Sequence, residues 1–252
     1  MNQGYGGHER RVQPLRAWIV GLLLALAGLA WAGLAWAGFA MAADGAAAGA
    51  ASTRPASARP ASATAARQVA TRTVLVLGDS LSAGYGLAAN QGWVSLAATR
   101  MRTTHPKWDV VNASVSGETT AGGASRIARE LKRLRPAVVV IELGANDGLR
   151  GLELAHSRDN LDRMITQSTD SGARVLLVGM HLPPNFGPQY TKGFDAMYAG
   201  LAKSHRVAFL PFLLAPVADD RRNFQADNMH PVAAVQGRLR DHVWSALLPL
   251  LK

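Results

Sequence analysis

The 252-residue chain has no cysteine, which excludes disulfides, thiolate metal sites and a lipid anchor carried on a cysteine of the chain itself. It also lacks a P-loop, a dinucleotide-binding glycine pattern and any internal repeat, and its seven histidines include no close pair at metal-ligand spacing. No metal and no cofactor is therefore expected. From Ala17 to Ala43 there is no charged residue at all, and large side chains are scarce from Asp44 to Arg72. These two absences divide the chain before any motif is read.

Arg10, Arg11 and Arg16 precede the uncharged stretch, whose centre is the apolar run Gly21-Leu22-Leu23-Leu24-Ala25-Leu26. Basic residues stay on the cytoplasmic side, so the stretch reads as an export signal or a membrane anchor, and either carries the rest of the chain across the membrane. Ala40-Met41-Ala42 resembles a peptidase site, while the run approaches the roughly 20 residues that span a bilayer, so both readings stay open. Gln13 and Pro14 stand where a twin-arginine signal has apolar residues, which argues against that route. Asp44 to Arg72 is almost wholly Ala, Ser, Thr, Pro, Gly and Arg and cannot offset the entropy of ordering. The expected organisation is a signal peptide or signal anchor over residues 1–43, a flexible tether over 44–72 and one folded domain over 73–252. The expected location is the periplasm, free or anchored to the inner membrane, with membrane contact through the N-terminal segment.

The net charge of +10 suggests a nucleic-acid partner only until it is divided. Seven of the 27 basic and two of the 17 acidic residues precede Thr73, leaving 20 against 15, or +5, on the domain. Arg126, Arg129, Lys132, Arg133 and Arg135 share one expected helix without interleaved aromatics, a solvated face rather than a nucleic-acid surface.

Within the domain, Thr73–Leu77 is a short apolar run ending at Gly78, which suits a strand buried on both faces of a parallel sheet. Asp109–Asn112, Ala137–Ile141, Arg174–Val178 and Val207–Leu210 supply four more. Helical patterns lie between and after them, at about Gln91–Arg102, Thr120–Leu134, Ser157–Ser171, Tyr190–Ser204 and Pro231–Leu250. This alternation predicts an α/β fold: a three-layer α/β/α sandwich on a five-stranded parallel sheet, flavodoxin-like, with its site beyond the carboxyl ends of the strands.

Three short motifs fall there: Gly78-Asp79-Ser80, Ser116-Gly117-Glu118 and Gly144-Ala145-Asn146-Asp147 follow the first three strands. Ser80 at a strand end can expose its hydroxyl and aim its own N–H at a substrate. In Asp227-Asn228-Met229-His230-Pro231, a carboxylate three residues before a histidine can reach Nδ1 and leave Nε2 free as a general base. Pro231 suits the first turn of the last helix, which would hold His230 at a loop-to-helix junction. Gly117 allows close backbone approach and Asn146 supplies a neutral N–H, the donors that an oxyanion needs. Taken alone, each is equally a turn or capping residue; their convergence on one sheet edge carries the reading.

Gly78 to Gly86, Val111 to Thr119, Glu142 to Gly151 and Asp227 to Pro231 together resemble the four blocks of the GDSL, or SGNH, hydrolase family, in order and over nearly all of 73–252. The similarity is to its bacterial periplasmic thioesterase, lysophospholipase and arylesterase branch. Leu182–Gly187 and Leu210–Phe212 resemble segments near that branch's acyl groove. The resemblance implies Ser80 as nucleophile, Asp227 and His230 as its partners, and an oxyanion hole of the Ser80 and Gly117 N–H groups with the Asn146 side chain. It implies a small acyl ester or thioester as substrate, lysophospholipid included. Asn228 replaces the usual Gly, and Asn tolerates the left-handed backbone such a site requires. A polysaccharide deacetylase on the same fold and a noncatalytic tethered envelope-binding protein are the alternatives.

Overall fold

The computed structural model describes residues 72–252; the expected signal segment lies outside the described residues, as does the tether except for Arg72. The five expected strands form: β1 (Arg72–Gly78), β2 (Trp108–Asn112), β3 (Val138–Glu142), β4 (Arg174–Val178) and β5 (Ala208–Leu210). All pair in parallel, in the order β2-β1-β3-β4-β5. The apolar runs explain the arrangement. Val74 to Leu77 and all of β3 are buried, as strands covered on both faces must be.

Seven α-helices are seen among the described residues: α1 (Ser80–Ala83), α2 (Trp93–Thr104), α3 (Thr120–Leu134), α4 (Ala145–Leu149), α5 (Leu154–Asp170), α6 (Pro188–His205) and α7 (Gln236–Leu247). α2 lies against α7, while α3 lies against α5 and α5 against α6, giving the two outer layers of a three-layer sandwich. α3 shows why its stretch is helical. The Thr119 hydroxyl caps it by accepting from the Gly122 N–H at 3.3 Å, and Ala124, Ile127 and Leu131 share the buried face. Burying a side chain such as Ile127, fully inaccessible here, contributes roughly 1.5–3 kcal/mol. None of the described helices is long and apolar enough to cross a membrane.

Besides shifts of one or two residues at other element ends, three features differ from expectation. α5 begins three residues before Ser157, and α1 and α4 are short helices that the sequence pattern does not mark. The third concerns His230: α7 starts at Gln236, not Pro231, after a 3₁₀ turn at Ala233–Val235. Pro231 instead forms an antiparallel bridge with Phe224, supported by Gln225 N–H to His230 C=O and Val232 N–H to Asn223 C=O, both 2.8 Å. His230 therefore sits on a closed loop, because backbone pairing across that loop satisfies groups a helix start would leave open.

With this strand order the direction of winding reverses between β1 and β3, and a crevice opens at their carboxyl ends. Ser80 follows β1 and Asn146 follows β3.

Candidate active site

Ser80 and His230 are 150 residues apart in sequence and in contact in space: Ser80 Oγ lies 2.8 Å from His230 Nε2. On the other side of the ring, His230 Nδ1 lies 2.7 Å from Asp227 Oδ2. A carboxylate can only accept, so Nδ1 carries the proton and Nε2 accepts from the Ser80 hydroxyl. Asp227 Oδ1 also accepts the Met229 and His230 backbone N–H groups at 2.9 and 3.0 Å. Those two bonds, with the ring's own, hold the Asp227 carboxyl down at about 2. Asn228 has φ +63°, the left-handed conformation its position was expected to need.

The His230 loop is tied to the β1 side of the crevice by groups the sequence pattern does not reveal. The Gln225 side-chain amide donates to the Tyr85 carbonyl at 2.9 Å, and the Tyr85 ring lies against His230 with centroids 4.6 Å apart. Gln236 Oε1 accepts the Trp93 N–H at 2.9 Å while its Nε2 donates to the Pro231 carbonyl at 3.2 Å.

Asn146 stands at the start of α4, whose neighbour Asp147 is buried and accepts from the Thr120 N–H, the Thr120 hydroxyl and the Ser157 hydroxyl. That carboxylate fastens the starts of α3, α4 and α5 together. Asn146 Nδ2 donates to the Glu118 carbonyl and to Asp79 Oδ2, each at 3.1 Å, so it joins the loops after β1, β2 and β3. Gly117 precedes Glu118, has φ +78°, and its carbonyl accepts from Arg150 Nη2 at 3.2 Å. Gly is favoured there by backbone conformation and not by space, since an added Cβ would meet nothing within 4 Å. Glu118 is a support that the sequence pattern does not mark: its carboxylate pairs with Arg126 through both oxygens, which steadies the loop that carries Gly117.

Beneath the nucleophile lies a second carboxyl, Glu142, fully buried at the end of β3. Its Oε2 bonds with the Ser82 hydroxyl at 2.6 Å, and its Oε1 has no hydrogen-bond partner. Gly78, paired in register with Glu142, leaves room for it; a Cβ there would stand 2.7 Å from Oε2. Burial first, and the charge of Asp79 second, raise the Glu142 carboxyl well above its ordinary value. In the unfolded chain the same group ionises near 4.5, which makes the native state bind its proton more tightly. Its contribution to stability is therefore full at low pH and falls as pH rises above that value. Glu142→Gln removes this dependence, so its melting temperature relative to wild type should climb between pH 5 and pH 9. Paired thermal melts would check this; a constant difference would mean that Glu142 is ionised in the native fold.

An apolar cleft of about 470 Å³ opens from Ser80, Asn146 and His230, lined among others by Leu149, Met180, Leu182, Phe212, Leu214 and Met229. Of the segments expected near an acyl groove, Leu182, Pro183, Pro184 and Phe212 line it, whereas Asn185, Phe186, Gly187, Leu210 and Pro211 do not. No cluster of three or more His, Cys, Asp or Glu side chains that could hold a metal ion occurs among the described residues.

A parallel α/β/α sandwich with a Ser–His–Asp chain at its carboxyl edge defines a serine hydrolase. Residues 76–237 match the GDSL-like Lipase/Acylhydrolase family. The chain is 46% identical over 180 residues to the esterase TesA of Pseudomonas aeruginosa, covering 71% of this chain and 90% of that protein. It is 37% identical over 179 residues to thioesterase 1/protease 1/lysophospholipase L1 of Escherichia coli K12, covering 71% and 85%. The crystal structure of the psychrotrophic esterase EstA from Pseudoalteromonas sp., inhibited by monoethylphosphonate, matches with a TM-score of 0.69 at 34% identity, over 71% of this chain and 98% of that one. The chain belongs to the GDSL-like lipase/acylhydrolase family.

Proposed function

We propose that this hydrolase cleaves carboxylic esters and thioesters of fatty acids through an acyl-enzyme on Ser80. The observation that carries the reading is the Ser80–His230–Asp227 chain opening onto an apolar cleft. His230 Nε2 takes the Ser80 proton as Oγ attacks the acyl carbonyl, and Asp227 stabilises the imidazolium that forms. The Ser80 and Gly117 N–H groups and Asn146 Nδ2 meet the oxyanion. The tetrahedral intermediate collapses as His230 protonates the departing alcohol or thiol. Water then attacks the acyl-enzyme, giving its proton to His230, and a second collapse releases the carboxylic acid and returns the proton to Ser80.

Apolar lining favours a fatty acyl chain over the acetyl group of a polysaccharide, which would leave most of the cleft empty. Relatives named esterase and thioesterase/lysophospholipase support the same substrate class. The test is a hydrolysis panel: aryl esters of graded chain length, palmitoyl-CoA and lysophosphatidylcholine. Medium and long acyl chains should be preferred, and Ser80 should be labelled by a fluorophosphonate. Activity confined to acetyl esters would assign a deacetylase, and no activity with no labelling would assign a binding protein.

Export belongs to the same proposal. Its support is the order of Arg10, Arg11 and Arg16 before the uncharged stretch. A phosphatase reporter fused after Arg72 should be active only outside the cytoplasm; an inactive, cytosolic fusion would overturn it.

A further inference from the structure

Asn146 presents an unusual problem for an oxyanion donor. Its amide nitrogen has two hydrogens, and both already have acceptors 3.1 Å away, Asp79 Oδ2 and the Glu118 carbonyl. Both acceptors are of a kind that cannot donate to it: a main-chain carbonyl never donates, and an ionised carboxylate does not either. Together they discriminate between the two faces of the amide. Turned by 180°, Asn146 would direct its carbonyl oxygen at two other oxygens, so only the orientation with Nδ2 toward Asp79 and the Glu118 carbonyl is satisfied.

We propose that Asp79 is a positioning residue for catalysis: it orients the Asn146 amide so that nitrogen, not oxygen, faces the oxyanion. This deepens the esterase reading and rests on it. Asp79 is itself held in place. It is almost fully buried, and its Oδ1 accepts the Leu81 N–H at 3.0 Å at the start of α1. The same short turn therefore carries the nucleophile and the group that sets the amide. When negative charge forms on the substrate oxygen, one Asn146 N–H turns from its resting acceptor or is shared with it. The nitrogen is already on the correct side of the amide, so no 180° turn of the side chain is required.

Other charged groups around Asp79 fit this role. Glu142 lies beneath it, with the Asp79 N–H 3.5 Å from Oε2; Glu118 is paired with Arg126; and His230 bonds with Ser80, the residue after Asp79. Burial is the main influence that raises the Asp79 carboxyl to about 6, with the Leu81 N–H, His230 and Asn146 pulling the other way.

The decisive substitution is Asp79→Asn. It preserves size and can still cap α1, but it adds an N–H that can donate to the flipped Asn146 carbonyl. kcat on an aryl ester should fall roughly 10- to 100-fold with KM within about threefold, less than the loss from removing the donor itself. In the Asn146→Ala background the same substitution should cost less than about threefold more, because the group it orients is gone. Asp79→Ser, which caps the helix but is too short to reach Asn146, should behave like Asp79→Asn and guards against misfolding of either variant. Wild-type kcat in Asp79→Asn, a loss confined to KM, or effects that multiply in the double variant would overturn the proposal. Multiplying effects would place the action of Asp79 on the imidazolium of His230. Should Asn146→Ala alone keep full kcat, the oxyanion assignment fails instead, which separates the two ideas.

Discussion

Ser80→Ala should reduce kcat on esters by on the order of 10⁶-fold while leaving the fold intact, the largest effect expected of any single substitution here. The hydroxyl's one side-chain partner is His230, and the half-buried position asks nothing of the core. Losing that bond costs about 1 kcal/mol, too little to threaten a domain with this many buried apolar residues. His230→Ala should fall by a similar factor, and the double variant should be no worse than either single one, because nucleophile and base act as a unit. The remaining histidines of the domain have other partners. His105 bonds with Thr104, His181 with Asp195, His205 with Asp162 and His242 with the Phe212 carbonyl, while His156 faces Glu153. Alanine at any of them should leave kcat within several-fold, with His181, which lines the cleft, the one expected to move KM. Turnover of an aryl ester, fluorophosphonate labelling and thermal melts would check the series. Near-normal turnover by Ser80→Ala would remove the acyl-enzyme, and equal losses at two histidines would mean that the base lies elsewhere.

The second large effect belongs to Asn146. A neutral N–H aimed at the nascent oxyanion stabilises the transition state more than the ground-state carbonyl, so Asn146→Ala should lower kcat roughly 10²- to 10³-fold with little change in KM. Asn146→Asp should be worse, although it is nearly the same size. The position already faces the Asp79 carboxylate and the Glu118 carbonyl, so a third acceptor there repels both and also repels the charge that must form. Kinetics of the three proteins on one ester would decide. An Asp variant equal to wild type, or an Ala variant with raised KM and normal kcat, would make Asn146 a binding or turn residue.

Much of the fold and site is legible in the sequence because the informative patterns are local. Val138 to Ile141 read as a strand because four consecutive apolar residues suit a doubly covered sheet, and the structure buries them all. Asp227 and His230 are legible as a pair because a spacing of three on a loop lets the carboxylate reach the ring, and it does, at 2.7 Å. The left-handed Asn228 follows from the residue's own conformational tolerance. The start of α7 departs from expectation because Pro231 is equally at home in a bridge, and the Phe224 partner that decides between them is seven residues away in sequence.

What only the tertiary structure decided are the contacts between distant residues. By itself the chain determined that five apolar strands alternate with amphipathic helices, that Ser80, Gly117 and Asn146 come just after the ends of strands, and that His230 falls on a loop. Folding decided that Ser80 meets His230, that Asp79 meets Asn146 across 67 residues, and that Ser82 meets Glu142 across 60. Asp79 and Glu142 lie within motifs that the sequence shows, but their burial and their partners were not legible there, since an acidic residue beside a turn reads as a cap and one at a strand end reads as exposed. Their burial follows from β1 lying beside β3 with Gly78 opposite Glu142, a register set by the whole sheet. Periodicity reports which face of an element is buried, but only the order and register of the strands determine which side chains that burial brings together.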